Sequence, residues 1–494
     1  MKKLFIAKKF ILTITVIFLL SLQTVNAQFV EDALRIIKPN SAATARIGAL
    51  GHSYFGFSDD ASAILTNPAG LTLIPNSEIG LGFNYNRNST STNFLGNTRD
   101  NTKSEVYFSN VQFVMPIFTY GNYPNAKFGF SYNVDNDFAV NTRYSGFNTQ
   151  NTFIYQQAAN REIWTQETRL ADNNFNVLVR NNMQQDGFVT ENGGLHNLAF
   201  GFGVDANEMF SFGGTLLFRF GTYKYNRTLH EADTRNLHTV NNDGFPPRGD
   251  IDALEVRERL TQELFGISGI VGMQAKINEM LRLGLSIKFP TLLAATEIFS
   301  ANYKVTYDPI DNVSNWWRFE TGNFTNEYTI VTPFEFTFGL SGHIANAGLS
   351  YSVAASFQDA SSAYFDYEFG KFDIISIEHF DNLNRAIAEQ LTGQFTVGAG
   401  LEYKIPNAPV YFRGSYTLVT SPYVDKDFGS NRNIIGAGIG ILLSNNLIAD
   451  AAFSYSSHSE RRANYGSLDV PHLFSYYDVT HTPKHFMLGF RYRF

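Results

Sequence analysis

Cysteine is absent from all 494 residues, which excludes disulfide staples, thiolate metal sites and a lipidated amino-terminal cysteine. Beyond residue 27 no apolar run is long enough to cross a bilayer as a helix, so a helical membrane bundle is excluded too. Positive charge is in short supply. The chain has 38 Lys and Arg against 45 Asp and Glu; Lys2, Lys3, Lys8 and Lys9 lie in the first 27 residues, which hold no acid, so removing that segment leaves 34 against 45, a net charge of −11. A chain so negative is not expected to bind nucleic acid. No nucleophile, base and orienting group come together in a recognisable spacing, so neither an enzyme nor a cofactor is expected.

What is present begins with an address. Four lysines precede the uncharged run Phe10 to Leu20, and Val25-Asn26-Ala27 places small residues where a secretory signal peptidase reads. Cleavage is expected after Ala27. The run matches the core of a signal peptide better than it matches a spanning helix.

The other informative pattern is a period of two. Phe486, Leu488, Phe490, Tyr492 and Phe494 share one face of the last segment, and His485, Met487, Gly489, Arg491 and Arg493 share the other. A strand that is apolar on one face and polar on the other reads as the closing strand of a transmembrane β-barrel, in which lipid replaces a core. Such a strand is also what barrel assembly machinery would engage. The same alternation recurs at Ile79 to Tyr85, within Glu105 to Phe118, at Phe128 to Val134, and in pairs joined by short turns such as Asp205 to Glu208, Asn278-Glu279, Pro406-Asn407 and Asn445-Asn446. Short and long connections alternate, with Arg87 to Lys103 expected as the first external one. Hydrophobic content is only 44%, which suits a barrel because only every second strand residue need be apolar. The fold class expected is all-β: a transmembrane antiparallel barrel of about fourteen strands in the outer membrane of a Gram-negative cell. Tyr85, Tyr132, Tyr403, Tyr416, Tyr455 and Tyr492 are expected in two interfacial rings.

Residues 28–76 carry no barrel pattern and are expected to form a hatch, or plug, inside the lumen, with residues 77–494 forming the barrel. Ser58 is expected to cap a short helix whose first turn holds Asp59 and Asp60, and Pro68 to disfavour helix at Asn67. The run Ser58-Asp59-Asp60-Ala61-Ser62-Ala63-Ile64-Leu65-Thr66-Asn67-Pro68-Ala69-Gly70-Leu71 resembles the amino-terminal signature of the FadL/TodX family of outer-membrane transporters, with paired aspartates before Asn-Pro-Ala.

That resemblance implies passive uptake of hydrophobic small molecules, fatty-acid-like or aromatic, with the hatch as gate and lateral release into outer-membrane lipid. By resemblance Asn67, Pro68 and Ala69 would be gating elements beside Asp59 and Asp60; a purely structural turn is the other reading. The family's lateral gap comes from a kink in the third strand, which here maps to Asn133, Val134, Asp135, Asn136 and Asp137. The residues themselves suit either a bend or an ordinary strand end. The alternative function is a FadL-like barrel serving as a structural or shuttle subunit of an outer-membrane secretion or assembly complex, its protein partners unknown.

Three further signals are weaker. The segments Phe138 to His196 and Tyr223 to Gln262 are polar and lack a continuous apolar groove, so the ligand stays open. Asp381 to Leu391 reads as a short amphipathic helix. His458, His472, His481 and His485 crowd the final segment, but their spacing completes no metal shell, so no metal is expected.

Overall fold

The computed structural model describes residues 30–37, 43–117, 125–239, 246–278, 280–309, 315–372, 377–466 and 473–494. The signal segment, most of the Tyr120 to Ala126 connection, Glu279 and His472 lie outside them.

The chain forms a closed antiparallel barrel of fourteen strands. In order these are β1 (Glu78–Phe94), β2 (Asn97–Pro116), β3 (Ala126–Asp137, resuming at Val140–Asn148), β4 (Met183–Asp205), β5 (Phe210–Ala232), β6 (Ile251–Asn278) and β7 (Leu281–Lys288, then Leu292–Tyr307). The circuit continues with β8 (Phe324–Val331, then Glu335–Ile344), β9 (Leu349–Asp359, then Tyr364–Phe372), β10 (Gly393–Lys404), β11 (Val410–Val419), β12 (Arg432–Leu442), β13 (Leu447–Tyr465) and β14 (Ser475–His481, then Lys484–Arg493). Each strand pairs with the next, and β14 returns to β1 with Ile79 opposite Tyr492 and Tyr85 opposite Phe486. Closure removes the free edges that an open sheet would expose to hydrocarbon.

Alternation decides what each face meets. On β1, Ile79, Leu81, Phe83 and Tyr85 are exposed outward while Asn84, Asn86 and Asn88 are buried inward. On β14, Phe486, Leu488, Phe490 and Tyr492 are exposed and His485 and Met487 are buried. Phe265, Ile267, Phe336, Phe338, Val397 and Ile435 continue the apolar outer surface around the ring. A belt this wide and apolar fits lipid rather than water. Of the tyrosines, Tyr403 and Tyr492 sit near the short-turn end, and Tyr85, Tyr132, Tyr416 and Tyr455 sit toward the other.

One expected loop is a correction. Arg87 to Lys103 is not a connection; β1 and β2 stay paired from Glu78 opposite Val114 to Phe94 opposite Asn97, turning through Leu95 and Gly96. Its Thr, Ser, Asn and Arg residues project past the belt, where the outward face meets water, the inward face packs through polar side chains such as Asn88 and Thr90, and no apolar alternation is needed. For the same reason the long polar insertions conceal structure: Phe138 to His196 contains the second part of β3 and much of β4, and Tyr223 to Gln262 contains the ends of β5 and β6. The amphipathic helix is present as Ile377–Gln390, with Phe380, Leu383 and Ile387 buried.

Lipid contact gives a measurable asymmetry. Leu488→Arg, at mid-belt, is expected to lower folding stability in lipid vesicles by about 2–4 kcal/mol, whereas Tyr492→Arg at the interface should lose about 1 kcal/mol or less. Equal losses in a denaturant titration would place the belt wrongly.

Candidate functional site: hatch, internal cavities and the β2–β3 break

Inside the barrel the amino-terminal segment crosses the lumen as helix α1 (Val30–Ile37), helix α2 (Ala45–Leu50), a helical turn at Tyr54–Phe57 and two 3-10 turns, Ala61–Leu65 and Pro68–Leu73. Thr44 caps α2 by accepting a bond from Ile47 N. The capping expected of Ser58 is corrected: Ser58 ends the Tyr54–Phe57 turn in the left-handed region, at φ 38°, and Asp60 caps the next turn by accepting from Ser62 N at 3.0 Å. Asn67 then caps the following turn, accepting from Ala69 N at 3.2 Å, with Pro68 in the first position, where its missing N–H costs nothing. The Asn-Pro-Ala run therefore starts a helical turn as well as ending one.

The two halves of this motif are fastened to different walls. Asn67 donates through Nδ2 to Met273 O on β6 at 3.1 Å. Pro68 O lies where a Cβ on Gly203 of β4 or Gly213 of β5 would meet it at 2.7 Å, so glycine there lets two backbones touch. Asp59 and Asp60 face the other way. Arg46 of α2 bonds Asp59 at 2.6 Å and Asp60 at 2.9 Å, and reaches Glu402 of β10 at 3.2 Å. Arg491 of β14 bonds Asp60 at 3.0 Å and Asp450 of β13 at 2.9 Å, and Arg413 of β11 joins Glu402 to Asp450. Tyr54 donates its hydroxyl to Asp60 at 2.6 Å. Burial alone would push the Asp60 carboxyl up, but Arg491 and Arg46 together hold it well below the usual carboxylate range. A second clamp joins Arg493 of β14 to Glu78 of β1 at 2.6 Å, and Glu78 also accepts from Ala61 N at 2.8 Å.

Two internal cavities lie above this floor. The lower, about 390 Å³, is bounded by Ile36, Ile47, Phe55, Leu65, Leu217 and Ile270 together with polar wall residues that include Asn133 and Asp135. The upper, about 240 Å³, is bounded by Glu31 and Arg35 of α1, aromatic rings such as Phe153 and Tyr223, and wall residues that include Asn136 and Asp137. Helix α1 contributes to both. Arg35 holds it to the wall, lying 3.8 Å over the Tyr223 ring and 3.9 Å from Glu191, while it also bonds Asp32 of its own helix at 2.6 Å.

The third strand leaves the wall between these levels. β2 and β3 pair only from Pro116 opposite Lys127 to Asn110 opposite Asn133. Above that point β2 continues to Asn97 bonded to β1, while β3 shifts register between Val134 and Asn136 and continues paired to β4. The second part of β3 passes on the lumen side of β1: inward Asn88 donates to Ala139 O at 2.6 Å and Thr90 to Asn141 O at 2.7 Å. Each residue of the bend is held. Asp135 takes Arg219 and accepts from Asn197 at 3.0 Å, Asn136 donates to Arg35 O at 3.0 Å, and Asp137 accepts from Asn86 at 2.9 Å. Asn133 and Val134 are buried. Asn133 to Asp137 thus stand together at the break, distant in sequence from the hatch motif, and Asn133 and Asp135 line the lower cavity with Leu65 and Thr66, which precede Asn67.

The clamp residues Arg46, Glu402, Arg413, Asp450 and Arg491 were not singled out in the sequence. Their signal was available in the alternation, which puts four of them on the inward face of belt strands where an isolated charge would be costly. Of the crowded histidines, His485 bonds Asn86 at 2.6 Å in the lumen, whereas His458 and His481 meet across β13 and β14 beside Glu460.

Comparison with known proteins bears on the fold. No family model and no characterised protein sequence matches the chain. Among solved structures, a FadL homologue of Pseudomonas aeruginosa superposes with a TM-score of 0.56 at 16% identity, over 92% of this chain and 98% of that one. The toluene transporter TodX of P. putida superposes with a TM-score of 0.52 at 11% identity, over 88% and 94%. The fold is therefore the FadL/TodX barrel with a segment folded into its lumen.

The clamp is testable by removing its central acid. Asp60→Ala removes the acid shared by two buried guanidinium groups, which keep Asp59, Glu402 and Asp450 as partners, and the loss of two charge-assisted hydrogen bonds is expected to cost about 3 kcal/mol or more. Amide exchange at residues 61–65 should then accelerate by roughly two to three orders of magnitude, since about 1.4 kcal/mol is tenfold. Unchanged protection would show that the hatch does not depend on these charges.

Proposed function

We propose that this chain is an outer-membrane channel that admits hydrophobic small molecules, aromatic or fatty-acid-like, and releases them sideways into the membrane between β2 and β3. One observation carries the reading. The wall loses its hydrogen bonding above Asn110 and Asn133, at the level where two internal cavities adjoin the bend. A closed barrel gains stability by keeping every strand paired, so a strand that turns into the lumen forfeits bonds and needs a compensating use. An exit into hydrocarbon is such a use, because a lipophile reaches the acyl layer without crossing the polar outer leaflet.

On this reading ligand enters the upper cavity among its aromatic rings, passes α1 into the lower cavity above the hatch, and leaves past Asn133 to Asp137. Helix α1, which borders both cavities, is the movable part on this reading. The hatch proper, with Asn67, Pro68, Ala69, Asp59 and Asp60, closes the periplasmic side. The protein acts as a conduit and not as an enzyme. That the structural neighbours are a FadL homologue and a toluene transporter supports the assignment, as does the apolar belt. The signal segment and the aromatic closing strand suit export to, and assembly in, a Gram-negative outer membrane.

Uptake by a Gram-negative host measures this directly. Cells expressing the chain should accumulate labelled toluene or oleate faster than cells carrying an empty vector. Replacing residues 133–137 by alternating Val and Thr, which would continue β3 straight, should return uptake to the vector level while the barrel still migrates as folded on a gel. Retained uptake in that variant removes the lateral route. Wild-type uptake no faster than the vector removes the channel reading itself.

A further inference from the structure

We propose that His458, Glu460 and His481 form a binding site for a first-row divalent transition metal ion, of the zinc, nickel or copper class, at the outer mouth of the lumen. This inference stands apart from the transport reading. Its basis is cross-strand geometry. His458 of β13 and His481 of β14 are direct partners in an antiparallel pair, with ring centroids 5.0 Å apart and planes inclined by only 16°. Glu460, two residues along β13, falls on the same face as His458. The ligand atoms of the three lie within 4.8 Å of one another.

The donor set has the right chemistry. Two imidazoles and a carboxylate suit these ions and leave a fourth position for water or a ligand group. Bond lengths of about 2.0–2.2 Å require the donors to draw together by about 1 Å, a movement within reach of side-chain torsions.

His481 Nε2 lies 3.1 Å from Glu460 Oε1, so a metal would take the place of the proton between them. Arg462 bonds Glu460 at 2.6 Å but also bonds Glu191, which keeps its guanidinium satisfied if Glu460 turns to the ion. The three residues line the upper cavity, so an ion can reach them from the lumen. The site also lies beyond the belt, since the outward residues there are Arg87 and Lys484.

Untagged full-length protein in detergent, titrated with cobalt(II), should develop visible absorption saturating at one ion per chain and abolished by zinc. His458→Ala and His481→Ala should each weaken binding by about 100-fold or more, and Glu460→Gln by roughly tenfold or more. His343→Ala, at an exposed position on β8, should leave binding unchanged. If a histidine variant fails to fold, X-ray absorption on the zinc-loaded native protein decides instead, with two imidazoles expected in the first shell. Absence of saturable cobalt binding, binding that survives both histidine substitutions, or a zinc shell without imidazole would overturn the proposal.

Discussion

Backbone hydrogen bonding in a medium without water is the constraint from which this structure follows. Hydrocarbon offers no substitute partner for a peptide group, so each strand of the belt must be bonded on both sides and the sheet must meet itself. The pairing of Ile79 with Tyr492 satisfies that demand at the seam. Against this background the separation of β2 from β3 is the exception, and the molecule surrounds it with compensation. Asp135, Asn136 and Asp137 are each bonded to a different element, so the bend is fixed and does not fray.

The hatch is held by two physically distinct means. Toward β10 to β14 it is held by charge, through linked guanidinium and carboxylate groups that are costly to bury singly and stable only as a set. It is also held by close approach. A Cβ at Gly436 would come within 2.5 Å of Gly48 O, and one at Gly272 within 2.2 Å of Asn67 Oδ1. In the run Gly436-Ala437-Gly438-Ile439-Gly440, Gly436 and Gly438 are thus kept bare so that α2 can lie against them, and Gly440 makes room for Arg413 and Asp450. Charge gives the contact its specificity, and glycine gives it room.

The sequence was legible wherever one face of a strand meets lipid. Phe486, Leu488, Phe490 and Tyr492 could be assigned outward, and the number of strands followed, because water and hydrocarbon impose opposite demands on successive residues. Where neither face meets lipid the signal vanishes, which is why Arg87 to Lys103 read as a loop. The hatch was legible in kind and less so in detail. Asp60 caps its turn and Ser58 does not, because Ser58 is turned into the left-handed region where Gly70 packs against it. Partners across the barrel were beyond reach, since nothing local tells that Arg46 will meet Glu402 or that Glu460 will stand beside His481.

The seam and the hatch share residues, and this has a bearing on the order of assembly. Arg491 and Arg493 belong to β14, yet their carboxylate partners are Asp60 of the hatch and Glu78 of the first strand. The amino-terminal segment is synthesised first, but its clamp is incomplete until the last strand has arrived. A nascent barrel therefore cannot lock its plug early, and the final strand, by closing the circle, also completes the seating of the earliest part of the chain.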